Sequence, residues 1–186
     1  MRKYKSIYEN FKLALKDVRK IKNYLIFSII IFSLFLIIGI LYPNFFKEQI
    51  IKLINSLIKK TEGMNFIELF IFIAGNNIQV SFFSMILGIF FGILPILTLI
   101  VNGYVLGFII NKSITSEGIF IIWRLFPHGI FEIPAILISI SLGIKLGINL
   151  KDFKKNLKSS LRIFVFIIIP LLIIAGIIES LLVFVS

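Results

Sequence analysis

From Leu69 to Asn111 the chain runs for 43 residues without one charged side chain. A soluble domain, about a quarter of whose residues are charged, does not accommodate such a run. A bilayer requires it, because its hydrocarbon is about 30 Å thick and a spanning helix takes about 20 mostly apolar residues. The run therefore fits two spans and a tight turn, and the sequence predicts the turn or break at Pro95, with Gly88 and Gly92 before it. Asn23 to Phe46 is a second uncharged stretch. A last apolar stretch is interrupted only by Glu179, and a weaker one between them holds Arg124, His128, Glu132, Lys145 and two prolines. The expected fold is all-α: a polytopic transmembrane helical bundle of about five spans, at residues 24–41, 69–92, 95–111, 127–146 and 163–184, making one membrane domain.

Composition agrees, at 59% hydrophobic and 16% charged with a mean hydropathy of +1.05. The net charge is +11, from 20 Lys and Arg against 9 Asp and Glu. A basic excess can serve nucleic acid, but there the cations share a soluble face with matching motifs. Here the first 23 residues hold eight cations, and Lys145–Arg162 holds six more. Cytoplasmic loops retain Lys and Arg, and five spans put both clusters on one side. The expectation is a multi-pass cell-membrane protein with a cytoplasmic N-terminus, an external C-terminus and no nucleic-acid partner. The basic leader and apolar core of the first span are too long for a cleaved signal peptide, so that span is expected to be an anchor. With no Cys, disulfides, thiolate metal sites and thiol nucleophiles are excluded.

Two further stretches are amphipathic. In residues 1–22, Ile7, Phe11, Leu15, Val18 and Ile21 recur every three or four positions among cations. Such a helix lies on cytoplasmic headgroups or packs under the bundle. Phe46, Ile50, Leu53, Ile54, Leu57 and Ile58 repeat the pattern over residues 43–60, with Pro43 expected at the helix start. This external helix either covers the bundle or offers a docking face to a partner.

Polar groups at membrane depth are costly and face the bundle interior or a wet cavity. Those within the spans are Asn76, Asn77, Asn102, His128, Glu132 and Glu179. At 1.5 Å per residue, Glu132 and Glu179 lie about 8 Å from the outer edge, Asn76 and Asn77 about 11 Å, and Asn102 about 14 Å. Residues from four spans thus converge on the outer half. His128 and Glu132, four apart, share a helix face. Phe126, before a proline, is pushed away from helix, so the sequence predicts a helix start or break at Phe126–Pro127, with 119–126 as a re-entrant or interfacial piece. Trp123 suits that boundary, and Arg124 suits it as an interfacial anchor or as the ion-pair partner of Glu132 or Glu179. The polar set either pins broken helices together or binds an ion, proton or substrate group. One His and two carboxylates (His128, Glu132, Glu179) could also hold a divalent metal such as Zn²⁺. The spacing HGIFE is not the HExxH metalloprotease pattern, and no phosphate loop or serine triad is present.

Gly88/Gly92, Gly103/Gly107 and Gly143/Gly147 are three GxxxG pairs. They allow close helix approach within the bundle or between two copies of the chain. NKS at Asn111–Ser113 matches the short glycosylation sequon.

Several of these residues together resemble the stage II sporulation protein M (SpoIIM) family. The likeness is carried by FIAGNN at Phe72–Asn77, VNGYVLG at Val101–Gly107 and LFPHGIFEIPAI at Leu125–Ile136, then by Gly143, Gly147 and AGIIE at Ala175–Glu179. It runs from about Phe66 to Ser180, and the Pro-His-Gly-x-x-Glu element inside a span is its most specific part. The first 65 residues are similar only in layout. The resemblance implies a polytopic membrane protein without assigned catalytic residues or a cofactor. Members in endospore-forming bacteria work with a peptidoglycan hydrolase and a second membrane-anchored protein during engulfment, and the family also occurs in organisms that do not sporulate. The expected function is a non-enzymatic membrane partner or scaffold of a multiprotein complex, in contact with lipid and other membrane proteins. The alternative is a transporter or channel for a small solute, ion or lipid, and a metal-binding membrane protein comes third.

Overall fold

The computed structural model describes residues 6–118 and 122–185; the side chains of residues 117, 122–128 and 185 lie outside that description. Helix α1 (Ile7–Arg19) opens on a capping box in which Ser6 Oγ accepts from the Glu9 amide and the Glu9 carboxylate accepts from the Ser6 amide. Two otherwise orphaned donors are satisfied reciprocally. Helix α2 (Lys22–Leu41) follows. Pro43 sits in a turn, and α3 (Lys47–Thr61) starts four residues beyond it rather than at it. A second capping box, Asn65 with Glu68, opens α4 (Phe66–Ile86).

The predicted break near Pro95 falls earlier. A 3-10 turn at Leu87–Ile89 and two left-handed residues, Phe91 (φ 56°) and Gly92 (φ 74°), reverse the chain before α5 (Ile93–Glu117). Pro95 is the third residue of α5, where a missing N–H costs nothing. The chain then continues through α6 (Ile122–Ile148) and α7 (Phe153–Ile163) to α8 (Ile169–Val185).

The expected start or break at Phe126–Pro127 is corrected: α6 is one helix from Ile122 onward, carrying Pro127 in its second turn and Pro134 in its interior. Each proline removes a single backbone bond, which neighbouring helices let a membrane helix tolerate. Residues 119–121 of the expected re-entrant piece lie outside the described residues; 122–126 form the first turns of α6. The irregular backbone lies instead between α7 and α8, where Phe164–Ile168 form a π-helical turn. Its cause is Pro170, which cannot donate to the Phe166 carbonyl four residues back.

Among the described residues five helical stretches are long and apolar enough to cross a membrane: Lys22–Leu41, Phe66–Ile89, Ile93–Ser116, Gly129–Ile148 and Leu150–Phe184. The last contains α7, whose Lys154, Lys155, Lys158 and Arg162 make it amphipathic. Helix α6 is central, touching α2, α4, α5, α7 and α8, and is buried without interruption from Leu137 to Ile144. Glycines set the spacing. A Cβ on Gly107 would run into the Leu36 carbonyl of α2, and one on Gly147 into the Gly88 carbonyl. All three GxxxG pairs are therefore used within the chain: Gly103/Gly107 against α2, and Gly143/Gly147 against the turn that carries Gly88/Gly92. Buried serines add links. Ser139 donates to the Ser81 carbonyl of α4, and Ser141 Oγ lies 3.0 Å from Ser28 Oγ of α2.

Helix α1 packs against α7, so the two basic clusters share one end of the bundle, as the span count requires. Ala14 and Ile21 are fully buried there beside Ile163 and Phe164. Ile7, Tyr8, Phe11 and Leu15 stay exposed. The second half of α1 thus packs under the bundle, while its first half keeps the amphipathic face suited to headgroups.

Candidate functional site

At the opposite end, four of the polar residues singled out by sequence come together. Asn76 and Asn77 of α4, Glu132 of α6 and Glu179 of α8 line one cavity of about 300 Å³. Three packing features place them. Gly176 of α8 meets Ala74 of α4, where a Cβ would stand 3.0 Å from the alanine Cβ, and this small-residue contact sets Glu179 beside the asparagines. Ser180, next to Glu179, is fully buried and returns its hydroxyl to the Gly176 carbonyl at 2.7 Å, so this turn of α8 faces inward. On α6, the Ser139–Ser81 bond and the glycine contacts fix the helix against α4, and Glu132 projects two turns away from Ser139.

The roof is α3. Ile54, Leu57, Ile58 and Thr61 lie over the cavity, and Leu69, Phe72 and Ile73 of α4 form a wall. Sequence reasoning found the stripe on α3 without finding what it covers. Leu69, Phe72, Ile73 and Asn76 follow a three-and-four spacing that marks one helix face, and this signal could have placed the wall.

Asn76 Nδ2 donates to Asn77 Oδ1 at 3.5 Å. Neither the Glu132 nor the Glu179 carboxylate makes a hydrogen bond or ion pair with another described residue. Among the described residues that line the cavity there is no Lys or Arg. Two carboxylates lining one cavity, with the carboxamides of Asn76 and Asn77 in the same lining, form an acceptor-rich chamber suited to a cation or a hydrogen-bond donor.

The remaining candidates are placed as follows. Asn102 does not line the cavity; its amide donates to the Thr98 carbonyl of its own helix at 2.8 Å. The side chains of His128 and Arg124 lie outside the described residues. Of the three candidate metal ligands, Glu132 and Glu179 therefore share the cavity, and among the described residues no three His, Cys, Asp or Glu side chains are grouped. Asn111, the sequon asparagine, donates to the Ile40 carbonyl at 2.9 Å, which ties α5 to the end of α2.

The stage II sporulation protein M (SpoIIM) family profile matches residues 28–183. An uncharacterized protein of Methanocaldococcus jannaschii is 35% identical over 121 residues, covering 64% of this chain and 65% of the relative. A second uncharacterized protein of that archaeon is 37% identical over 68 residues, covering 37% of this chain and 28% of the relative. The chain thus spans less than two thirds of the curated relatives it matches. No solved structure matches it. The profile match begins within α2, ends within α8 and takes in every helix that surrounds the cavity, and on that extent the chain belongs to the stage II sporulation protein M family.

Proposed function

We propose that the protein is a non-enzymatic membrane partner or scaffold of a multiprotein complex, and that α3 is the element it presents to the other protein. The observation that carries this reading is the way α3 is held: of its 15 residues only Ile50 is buried. Ile51 and Ile58, seven apart and so on one face, are 39% and 58% exposed, although Ile58 also borders the cavity. An amphipathic helix attached this lightly keeps an apolar stripe free for a groove or helix on a partner. The basic end carrying α1 and α7 faces the cytoplasm in this reading, and α3 lies outside. A photo-crosslinking residue at Ile58, compared in native membranes with one at Ile30 on the lipid-facing side of α2, tests it. A discrete protein adduct from position 58 and none from position 30 supports the docking role. Lipid adducts alone from both positions overturn it.

A second reading is favoured by the cavity. The chamber lined by Asn76, Asn77, Glu132 and Glu179 encloses about 300 Å³, and among the described residues no hydrogen bond joins these four side chains across helices. A cation, or a solute with a cationic group, reaches it from the α3 side. In this reading α3 is a cover.

A further inference from the structure

A second hollow lies under the first half of α3, between α2 and α5. It measures about 430 Å³ and is walled by Phe35 and Ile38 of α2 and by Ile100, Val101 and Val105 of α5, with Leu53 of α3 above. Ligand pockets run from about 300 to 1,000 Å³, so this is more than a rotamer gap. Its origin is the close helix contact beside it: Gly103 and Gly107 bring the α5 backbone onto Phe32, Leu36 and Gly39 of α2. Helices that touch at glycines on one side leave the large side chains of the neighbouring face splayed apart.

The chemistry of the lining narrows the occupant. Among the described lining residues Tyr104 and Gln49 contribute the only polar side-chain groups, and the Tyr104 hydroxyl is already committed, donating to the Tyr42 carbonyl at 2.7 Å. Water finds too few partners to reside in such a space, and an empty one forfeits the contacts of every atom around it. Both walls belong to stretches long and apolar enough to span the bilayer, so the medium at the opening is hydrocarbon. The first turn of α3 is where the helix is held: Ile50 is buried against Tyr104 and Phe108, and the Phe46 ring meets the Tyr104 ring edge-on with centroids 5.4 Å apart.

We propose that this groove holds one acyl chain of a bilayer phospholipid as a resident ligand enclosed beneath α3. The Gln49 amide, at the rim, supplies the donor for an ester carbonyl of that lipid. This site is separate from the carboxylate cavity, and its occupant neighbours α3 without using the Ile51 and Ile58 stripe.

The test uses the full chain reconstituted into phosphatidylcholine vesicles that contain a variable share of lipid with brominated acyl chains. Trp123→Phe removes the one tryptophan, and Phe46→Trp then places a reporter at the groove. Ile30→Trp, on an exposed face of α2, reports ordinary boundary lipid. The expected result is quenching of the groove reporter that persists at low brominated fractions where the boundary reporter has lost it, with slow exchange on dilution into unbrominated lipid. Superimposable quenching curves for the two reporters overturn the proposal. Val105→Phe, which fills the groove, should bring the groove reporter onto the boundary curve; if that variant does not fold, the two-reporter comparison decides alone.

Discussion

Arg162 of α7 donates through Nη1 to Asp17 Oδ2 of α1 at 2.9 Å, joining helices 145 residues apart in sequence. Lys20 holds the other oxygen at 2.7 Å. The Asp17 side chain is 7% exposed, so this carboxylate is a buried charge clamped between two cations. It locks the two basic segments into one platform at the end of the bundle.

Arg162→Met removes the cross-helix bond and leaves Lys20 in place. Charge-assisted hydrogen bonds of this kind are worth about 1.5–3 kcal/mol, so the variant should lose roughly 2 kcal/mol. Asp17→Leu combined with Arg162→Met should recover part of that loss, because a buried pair replaced whole by apolar groups is often neutral. Thermal unfolding in detergent measures both. A double variant no more stable than the single one would contradict the buried-charge account.

Glycine positions should divide sharply. At Gly107 an added side chain meets the Leu36 backbone, which cannot yield as a flexible side chain can. Gly107→Leu should therefore cost about 3 kcal/mol or more, beyond ordinary overpacking. At Gly75 nothing lies within 4 Å of the added Cβ, and Gly75→Ala should be neutral or stabilise α4 by about 0.5–1 kcal/mol. Denaturation of the two variants side by side checks the contrast.

Topology is directly testable because the chain has no cysteine. Lys12, Lys52 and Lys154 are all exposed, so a single Cys at each leaves the packing intact. An impermeant maleimide added to sealed cells should label Lys52→Cys, and should label Lys12→Cys and Lys154→Cys only after permeabilisation. Labelling of Lys12→Cys and Lys154→Cys from outside, with Lys52→Cys protected until permeabilisation, would reverse the assignment drawn from positive charge.

What could be read from sequence follows from what hydropathy encodes. Uncharged runs locate spans along one dimension, and counting 1.5 Å per residue gives depth, which is why Asn76, Asn77, Glu132 and Glu179 were expected together and line one cavity. Depth says nothing about azimuth. Asn102, expected in the same half-membrane, bonds back to Thr98 on a helix paired with α2. Proline rules drawn from soluble helices misplaced the irregular backbone. They predicted a break at Phe126–Pro127, where α6 is continuous, and gave no warning of the π-helical turn before Pro170, which is hidden in uniformly apolar sequence. The Asp17–Arg162 pair and the roofing by α3 depend on which faces meet, and no local pattern records that.

Replacing both carboxylates is the most informative change at the cavity. Glu132→Gln with Glu179→Gln keeps shape and hydrogen-bonding capacity while removing both ionisable groups from a low-dielectric chamber that has no described cation in its walls. If the pair exists to pin helices, its loss should unfold the bundle. Neither carboxylate is bonded to another described residue, and two like charges in one site repel, so in their ionised forms they oppose packing unless a positive group balances them. The double variant should therefore stay folded, within about 1 kcal/mol of the parent or above it. It should also lose whatever calorimetric binding the parent displays to Na⁺, Ca²⁺ or methylammonium. A folded variant alongside a parent that binds none of the three would remove the cation reading and leave the docking role of α3 as the surviving function.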